Sequence, residues 1–162
     1  MNLYLRLLLI IFKSRFGPSM KALDISVIKL RVLLNDLDLN RHMNNGRFLT
    51  IMDLGRMDLL TRTGILTLAV KNKWMPIVGT ASIDFKRPLK LWQRYELHSK
   101  VYAWDEKWIY LEQSFFSNEK LIAKAQIKGL LRGKNGNVTP QIIIDKIQPG
   151  LTSPVADKNQ IF

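Results

Sequence analysis

The chain has no cysteine, which excludes a disulfide framework, a thiolate nucleophile and a thiolate metal site. Histidine is nearly absent too: His42 and His98 are the only two, too few for an imidazole-rich metal cluster, and no metal is expected. Acidic residues are scarce, 13 against 25 basic, giving a net charge of +12. That imbalance favours anionic partners and would steer a phosphate-bearing ligand, without naming the anion. Nucleic acid is not expected, because the basic residues are scattered over strands and termini and form no recognition motif. No internal repeat and no low-complexity tract is present. The absence of cysteine is consistent with a reducing compartment, and a cytoplasmic location is expected.

A membrane-spanning run is also lacking. Leu3 to Phe12 is apolar but broken by Arg6, and a spanning helix needs roughly 20 apolar residues. A secretory signal places its positive charge before the apolar run and small residues after it. Here Lys13 and Arg15 follow the run instead. Two readings remain for this leader. It is either a short helix lying in a membrane interface, which would hold the protein against the inner face of a membrane, or one packed on the protein or a partner subunit.

What is present fits one domain: 162 residues, 47% hydrophobic, enough for a single sheet and a few helices over one core. Gly17-Pro18-Ser19 sets the leader, residues 1–17, apart from a main domain over 18–136, with a C-terminal tail of short helices over 137–162. Ile28, Leu30, Val32 and Leu34 alternate with Lys29 and Arg31, so a strand is predicted there. A polar, turn-prone stretch follows from Asn35 to Asn45. A long helix is predicted from about Gly46 to Arg62, capped by Asn44 or Asn45 and ending before Gly64. It is apolar over most of its girth, with a narrow polar stripe of Arg47, Thr50, Asp53 and Arg56, so it should be buried on several sides. Gly55 inside it costs about 1 kcal/mol relative to Ala, a cost that a close backbone approach would justify.

After Pro76 the sequence reads as antiparallel sheet. Ala81, Ile83 and Phe85 share one face, Tyr95 to Ala103 alternate, and Trp108 to Phe116 forms another run. Leu121 to Ile127 alternates as well, joined to the previous run by a hairpin at Ser117 to Lys120. Gly133 to Gly136 should end the sheet. Thr139-Pro140 should start a short helix through Ile147, and Ser153-Pro154 repeats that signal. One antiparallel sheet wrapped around one long helix accommodates this order and places the chain in the α+β class.

The informative stretch runs from Asn35 to Phe48, between a strand and a buried helix. Asp36, Asp38, His42, Met43, Asn44, Asn45 and Phe48 resemble the D-x-D-x-x-x-H-[VM]-N-N-x-x-[YF] signature of hot-dog-fold acyl-CoA thioesterases. The likeness is to the branch that includes the 4-hydroxybenzoyl-CoA thioesterase and its Tol-Pal-cluster relatives, in a subgroup with a hydrophobic leader. It continues through Asp53 and Arg56 and, more loosely, Phe85 to Leu89. The resemblance implies a hot-dog fold and hydrolysis of an acyl-CoA thioester with no resident cofactor, coenzyme A entering as part of the substrate. It also implies a homodimer or homotetramer with sites at the subunit interface. Asp38 aligns with the catalytic carboxylate and would act as nucleophile or as general base on water.

The amides of Asn45, Gly46 and Arg47, opening the helix, suit a developing oxyanion, and Gly46 would admit the thioester close to the backbone. His42 is expected to hold the loop or touch substrate, Asn45 to cap the helix and contact substrate. Phe48 should be core at the border of the acyl pocket. Thr80 and Ser82 are candidates for the thioester channel, Lys86 and Arg87 for the coenzyme A phosphates. Asp36 reads as a turn residue and His98 as a solvent-facing one. Arg41 stands where many relatives carry Gly, which bears on loop shape or acyl preference.

Two rival readings exist. A hot-dog hydratase would carry D-x-N-P-x-H, whereas Arg41 occupies the place where Pro is needed. A non-catalytic acyl-CoA-binding or scaffold protein of the same fold is the alternative that sequence alone leaves standing.

Overall fold

The computed structural model describes residues 3–154. A leader helix α1 (Leu3–Arg15) is followed by strand β1 (Ser26–Arg31), a single 3₁₀ turn (Leu34–Asp36) and the long helix α2 (Asn45–Arg62). A second helix α3 (Ile65–Asn72) precedes strands β2 (Met75–Phe85), β3 (Arg94–Trp104), β4 (Ile109–Ser117) and β5 (Lys120–Gly133). A short strand β6 (Gly136–Val138) and helix α4 (Pro140–Ile147) close the described chain.

All strands form one antiparallel sheet in the order β1-β3-β4-β5-β2, with β6 returning along β5. Helix α2 packs its Phe48, Ile51, Met52, Leu54 and Leu59 into the core, while its Asp53 is exposed. Each such side chain contributes about 2 kcal/mol of burial. Leu49, at 42% exposure, lies outside that face. Helix α1 covers another side of α2, so the long helix is enclosed as its composition predicts. This is the α+β hot-dog arrangement expected from the resemblance.

Gly55 has the close neighbours its cost called for. A Cβ there would sit 2.6 Å from Ser99 Oγ, 2.7 Å from Leu97 Cδ2 and 2.9 Å from Gln113 Nε2. The sheet thus approaches the helix backbone itself. Gln113, fully buried, donates to the Met52 carbonyl at 2.9 Å and to Ser99 Oγ at 2.8 Å, and accepts from Arg56 at 2.7 Å.

Four expectations need correction. The first strand stops at Arg31, and Leu34, 67% exposed, belongs to the 3₁₀ turn; the turn bonds of Asp36 and Leu37 outweigh the period-two pattern. Gly64, at φ 80°, does end α2, but it also opens the short helix α3, which the sequence reading did not find. Gly133 to Gly136 is a hairpin, not the end of the sheet, because Leu131 to Gly133 pair with β6. Helix α4 starts as predicted, although the Thr139 side chain makes no cap bond. A helix announced by Ser153-Pro154 would lie outside the described residues.

Candidate active site

The loop between the 3₁₀ turn and α2 is pinned at three places. Leu37 bridges Met43, His42 bridges Lys90, and the Asn44 N–H donates to the Asp36 carbonyl at 2.9 Å. Inside this loop Asp38 is half-buried. Its Oδ1 accepts from the Asn40 N–H at 2.8 Å and the His42 N–H at 3.3 Å, while its own N–H donates to the His42 carbonyl at 2.9 Å. Its second oxygen, Oδ2, has no hydrogen-bond partner among the described residues. One oxygen therefore fixes the side chain and the other is presented. Arg41 reaches φ 60° in this turn, a left-handed conformation that favours Gly.

Asp36 is the buried anchor of the loop. Its carboxylate, 1% exposed as a residue, takes a two-pronged bond from the Arg6 guanidinium at 3.2 and 2.7 Å and accepts from the Leu33 N–H at 2.9 Å. Arg47 Nε stands 3.8 Å away. Arg6 comes from the leader, so α1 is tied directly to the loop that carries Asp38. Sequence reading found the structural role of Asp36 but not its partner, which lies 30 residues away.

The helix start is more occupied than expected. Asn44 is the cap, accepting from the Gly46 N–H at 2.8 Å through Oδ1 and from the Arg47 N–H at 2.8 Å through its carbonyl. Asn45 is thus the first helical residue and not the cap, and it is exposed. Of the three amides named for the oxyanion, only the Asn45 N–H has no partner among the described residues. Gly46 becomes available when the Asn44 side chain turns away. The Arg47 side chain donates to the Asn35 carbonyl at 3.1 and 2.8 Å, bracing the loop instead of reaching outward. His42 holds the loop through its main chain; its ring makes no hydrogen bond among the described residues and is half-buried.

Phe48 is core, 2% exposed and edge-on to Phe85 (5.2 Å) and Phe115 (4.9 Å). Thr80 and Ser82 are exposed on the edge strand β2, and neither bonds to the Asp38 loop within one chain. Lys86 is paired with Asp84, and Arg87 donates to the Leu121 carbonyl at 2.7 Å. Both residues are exposed at the strand end. His98 is partly exposed and 3.0 Å from Glu96.

An apolar cavity of about 400 Å³ lies between α1, the second half of α2 and the sheet, with Leu7, Leu54, Leu60, Val101 and Leu111 among its walls and Asp53 and Arg56 on its rim. Burial lowers the Arg56 guanidinium from its ordinary value, against the opposing charge and hydrogen bond of Asp53. Sequence reading missed a second buried carboxylate, Asp58, which accepts from Ser14 and Ser26 and lies 3.5 Å from Arg62. A lone Asp on an apolar helix face was the available signal.

Comparison with known proteins matches this geometry to a family. A model of the thioesterase-like superfamily fits residues 32–142. Protein THEM6 of Danio rerio is 35% identical over 125 residues, covering 75% of this chain and 62% of that protein; this chain thus spans less than two thirds of the relative. Among solved structures, the probable thioesterase YbaW of Escherichia coli superposes with a TM-score of 0.70 at 19% identity, covering 76% of this chain and 96% of that one. The gentisyl-coenzyme A thioesterase BH1999 superposes with a TM-score of 0.63 at 20% identity, covering 72% and 94%. The family match takes in β1's exit, the Asp38 loop, α2 and the whole of β2 to β5, and so the chain belongs to the thioesterase-like superfamily.

Proposed function

We propose that this protein hydrolyses acyl-CoA thioesters, with Asp38 as nucleophile or general base. Water adds across the C–S bond: the acyl carbon gains the hydroxyl and the sulfur of coenzyme A leaves with the proton. The observation that carries the reading is the split role of Asp38, one oxygen locked by two loop amides and the other without a partner among the described residues, on the loop that leads into α2. A carboxylate fixed in this way is pre-oriented for attack or proton transfer. The Asn45 amide supplies one oxyanion donor, and Gly46 a second once Asn44 releases it.

The catalytic assembly is a homodimer at least. Strand β2 pairs with β5 on one side only and is exposed over most of its length, Met75 at 66% and Val78 at 45%. An 11-residue edge strand left open is a template for pairing with another chain. Pairing β2 with its copy would carry Thr80 and Ser82 of one protomer toward the other's loop.

A non-catalytic acyl-CoA binder is the rival reading, favoured by the Gly46 amide being already taken. A panel of acyl-CoAs assayed for thiol release decides between them. Turnover that disappears in Asp38→Ala, with the fold retained, supports hydrolysis; binding without any thiol release in the wild type supports the rival.

A further inference from the structure

Helix α1 is turned inside out. Its buried positions are Arg6, Ile10 and Ser14, two of the three polar. Leu5, Leu8, Leu9, Phe12 and Phe16 face outward at 48, 65, 45, 65 and 76% exposure. The roll of the helix is fixed by what it buries: Arg6 is bound to Asp36 with both side chains 4% exposed or less, and Ser14 donates to Asp58. Rolling the apolar side inward would strand a buried carboxylate without its cation, so the helix keeps that side out.

Beside it runs a basic groove. One stretch, about 420 Å³, lies between α1 and β1 and is lined by Leu9, Lys13, Lys29 and Arg62. It shares Arg6, Lys29 and Leu30 with a wider groove of about 870 Å³ that contains Arg31 and Arg94 as well as Glu96 and Glu119; Lys29 is paired with Glu96 at 3.1 Å, so the unpaired positive charge there is that of Arg31 and Arg94. Arg31 and Arg94 lie directly opposite each other across β1 and β3. Like charges at that spacing destabilise a sheet, and neither has an acidic partner among the described residues.

We infer that this face docks on an anionic phospholipid bilayer. The outward side of α1 enters the interface, Lys13 and Arg15 sit at headgroup level, and Arg31 with Arg94 take up lipid phosphates. A short helix with one wide apolar side and flanking basic residues binds in this way, and each cation near the surface adds attraction to acidic lipid. Charge selects the bilayer over a second copy of the chain. Two such faces would bring groove against groove in molecules that each carry +12.

The test is co-sedimentation of the full chain with vesicles of pure phosphatidylcholine or of phosphatidylcholine containing phosphatidylglycerol. Partition onto the anionic vesicles should be stronger by roughly tenfold or more, and high salt should remove the difference. Leu8→Glu combined with Phe12→Glu should abolish partition onto both. Arg31→Ala combined with Arg94→Ala should leave the weak neutral binding and cut the anionic preference several-fold, Lys13 and Arg15 retaining the rest; an undiminished preference would overturn the role of the groove. Both residue pairs are exposed, so circular dichroism should show the native fold. No partition of the wild type onto either vesicle overturns the inference. So does a Leu8→Glu, Phe12→Glu protein that changes oligomeric state in light scattering while still sedimenting with vesicles. Hydrolysis of a short, water-soluble acyl-CoA should be unchanged in the Leu8→Glu, Phe12→Glu protein, so a failure of the thioesterase reading registers separately.

Discussion

Asp38 and Asp36 are two positions apart and do opposite work. Asp36 is fully spent on Arg6 and the Leu33 amide, below any surface. Asp38 keeps one oxygen in reserve. Removing Arg6 would leave the buried Asp36 carboxylate with only the more distant Arg47 as a cation, so Arg6→Ala should destabilise by roughly 3 kcal/mol, read as a fall in urea midpoint at constant m-value. Tyr95 presents the reverse case, a fully buried phenol whose hydroxyl has no partner among the described residues. Tyr95→Phe should raise stability by about 1 kcal/mol, since it deletes an unmade hydrogen bond. Burial, aided by Asp36 and opposed by Arg6, pushes this phenol well above its ordinary range. A raised folded value means the tyrosine's contribution is whole below about pH 10 and is lost as pH climbs past it. Tyr110, pushed up to about 12 by burial and its bond to Asp105, acts in the same direction. Alkaline unfolding should therefore become less steep in Tyr95→Phe, a change that thermal melts across that range would register.

Among the elements, α2 does most to position the site. It holds its amino end against the loop and presses its middle, at Gly55, onto the sheet. Gly55→Ala would drive a methyl into Ser99, Leu97 and Gln113, and should cost roughly 1–3 kcal/mol; an unchanged melting temperature would contradict the close approach. This helix was legible in the sequence because its apolar girth, its polar stripe and its interior glycine all have local meanings. Helix α3 was not, since its eight residues are a short run and Gly64 reads equally as a stop, although Ile65 and Ala69 stand at helical spacing. The cap could be placed only to Asn44 or Asn45, as both side chains suit the position and tertiary geometry chooses. The leader's partners were out of reach for a different reason. Arg6 with Asp36 and Ser14 with Asp58 join residues 30 and 44 apart, and no periodicity reports such pairs.

At the scale of the molecule, the sheet ends on two edge strands, of which the longer, β2, is exposed over most of its length, and the charge leaves one face basic. An open β2 predicts that the protein is no smaller than a dimer in light scattering, and that Val78→Lys on that edge should lower the oligomeric state and thiol release together. A monomer with full activity would contradict an interface site. The succession of elements along the chain and the sheet-around-helix architecture followed from alternation and turn chemistry. The free edge did not, because β2 carries the same alternation as its paired neighbours.

The loop has two jobs for Asp38, turn cap and reacting carboxylate, and Asp38→Asn separates them. Asparagine retains an oxygen for the Asn40 and His42 amides but loses the charge. With the best acyl-CoA of the panel, kcat for thiol release should fall about 10²- to 10⁴-fold while the melting temperature stays near that of the wild type. Undiminished kcat in a folded Asp38→Asn protein would contradict the assignment and leave this residue a turn cap.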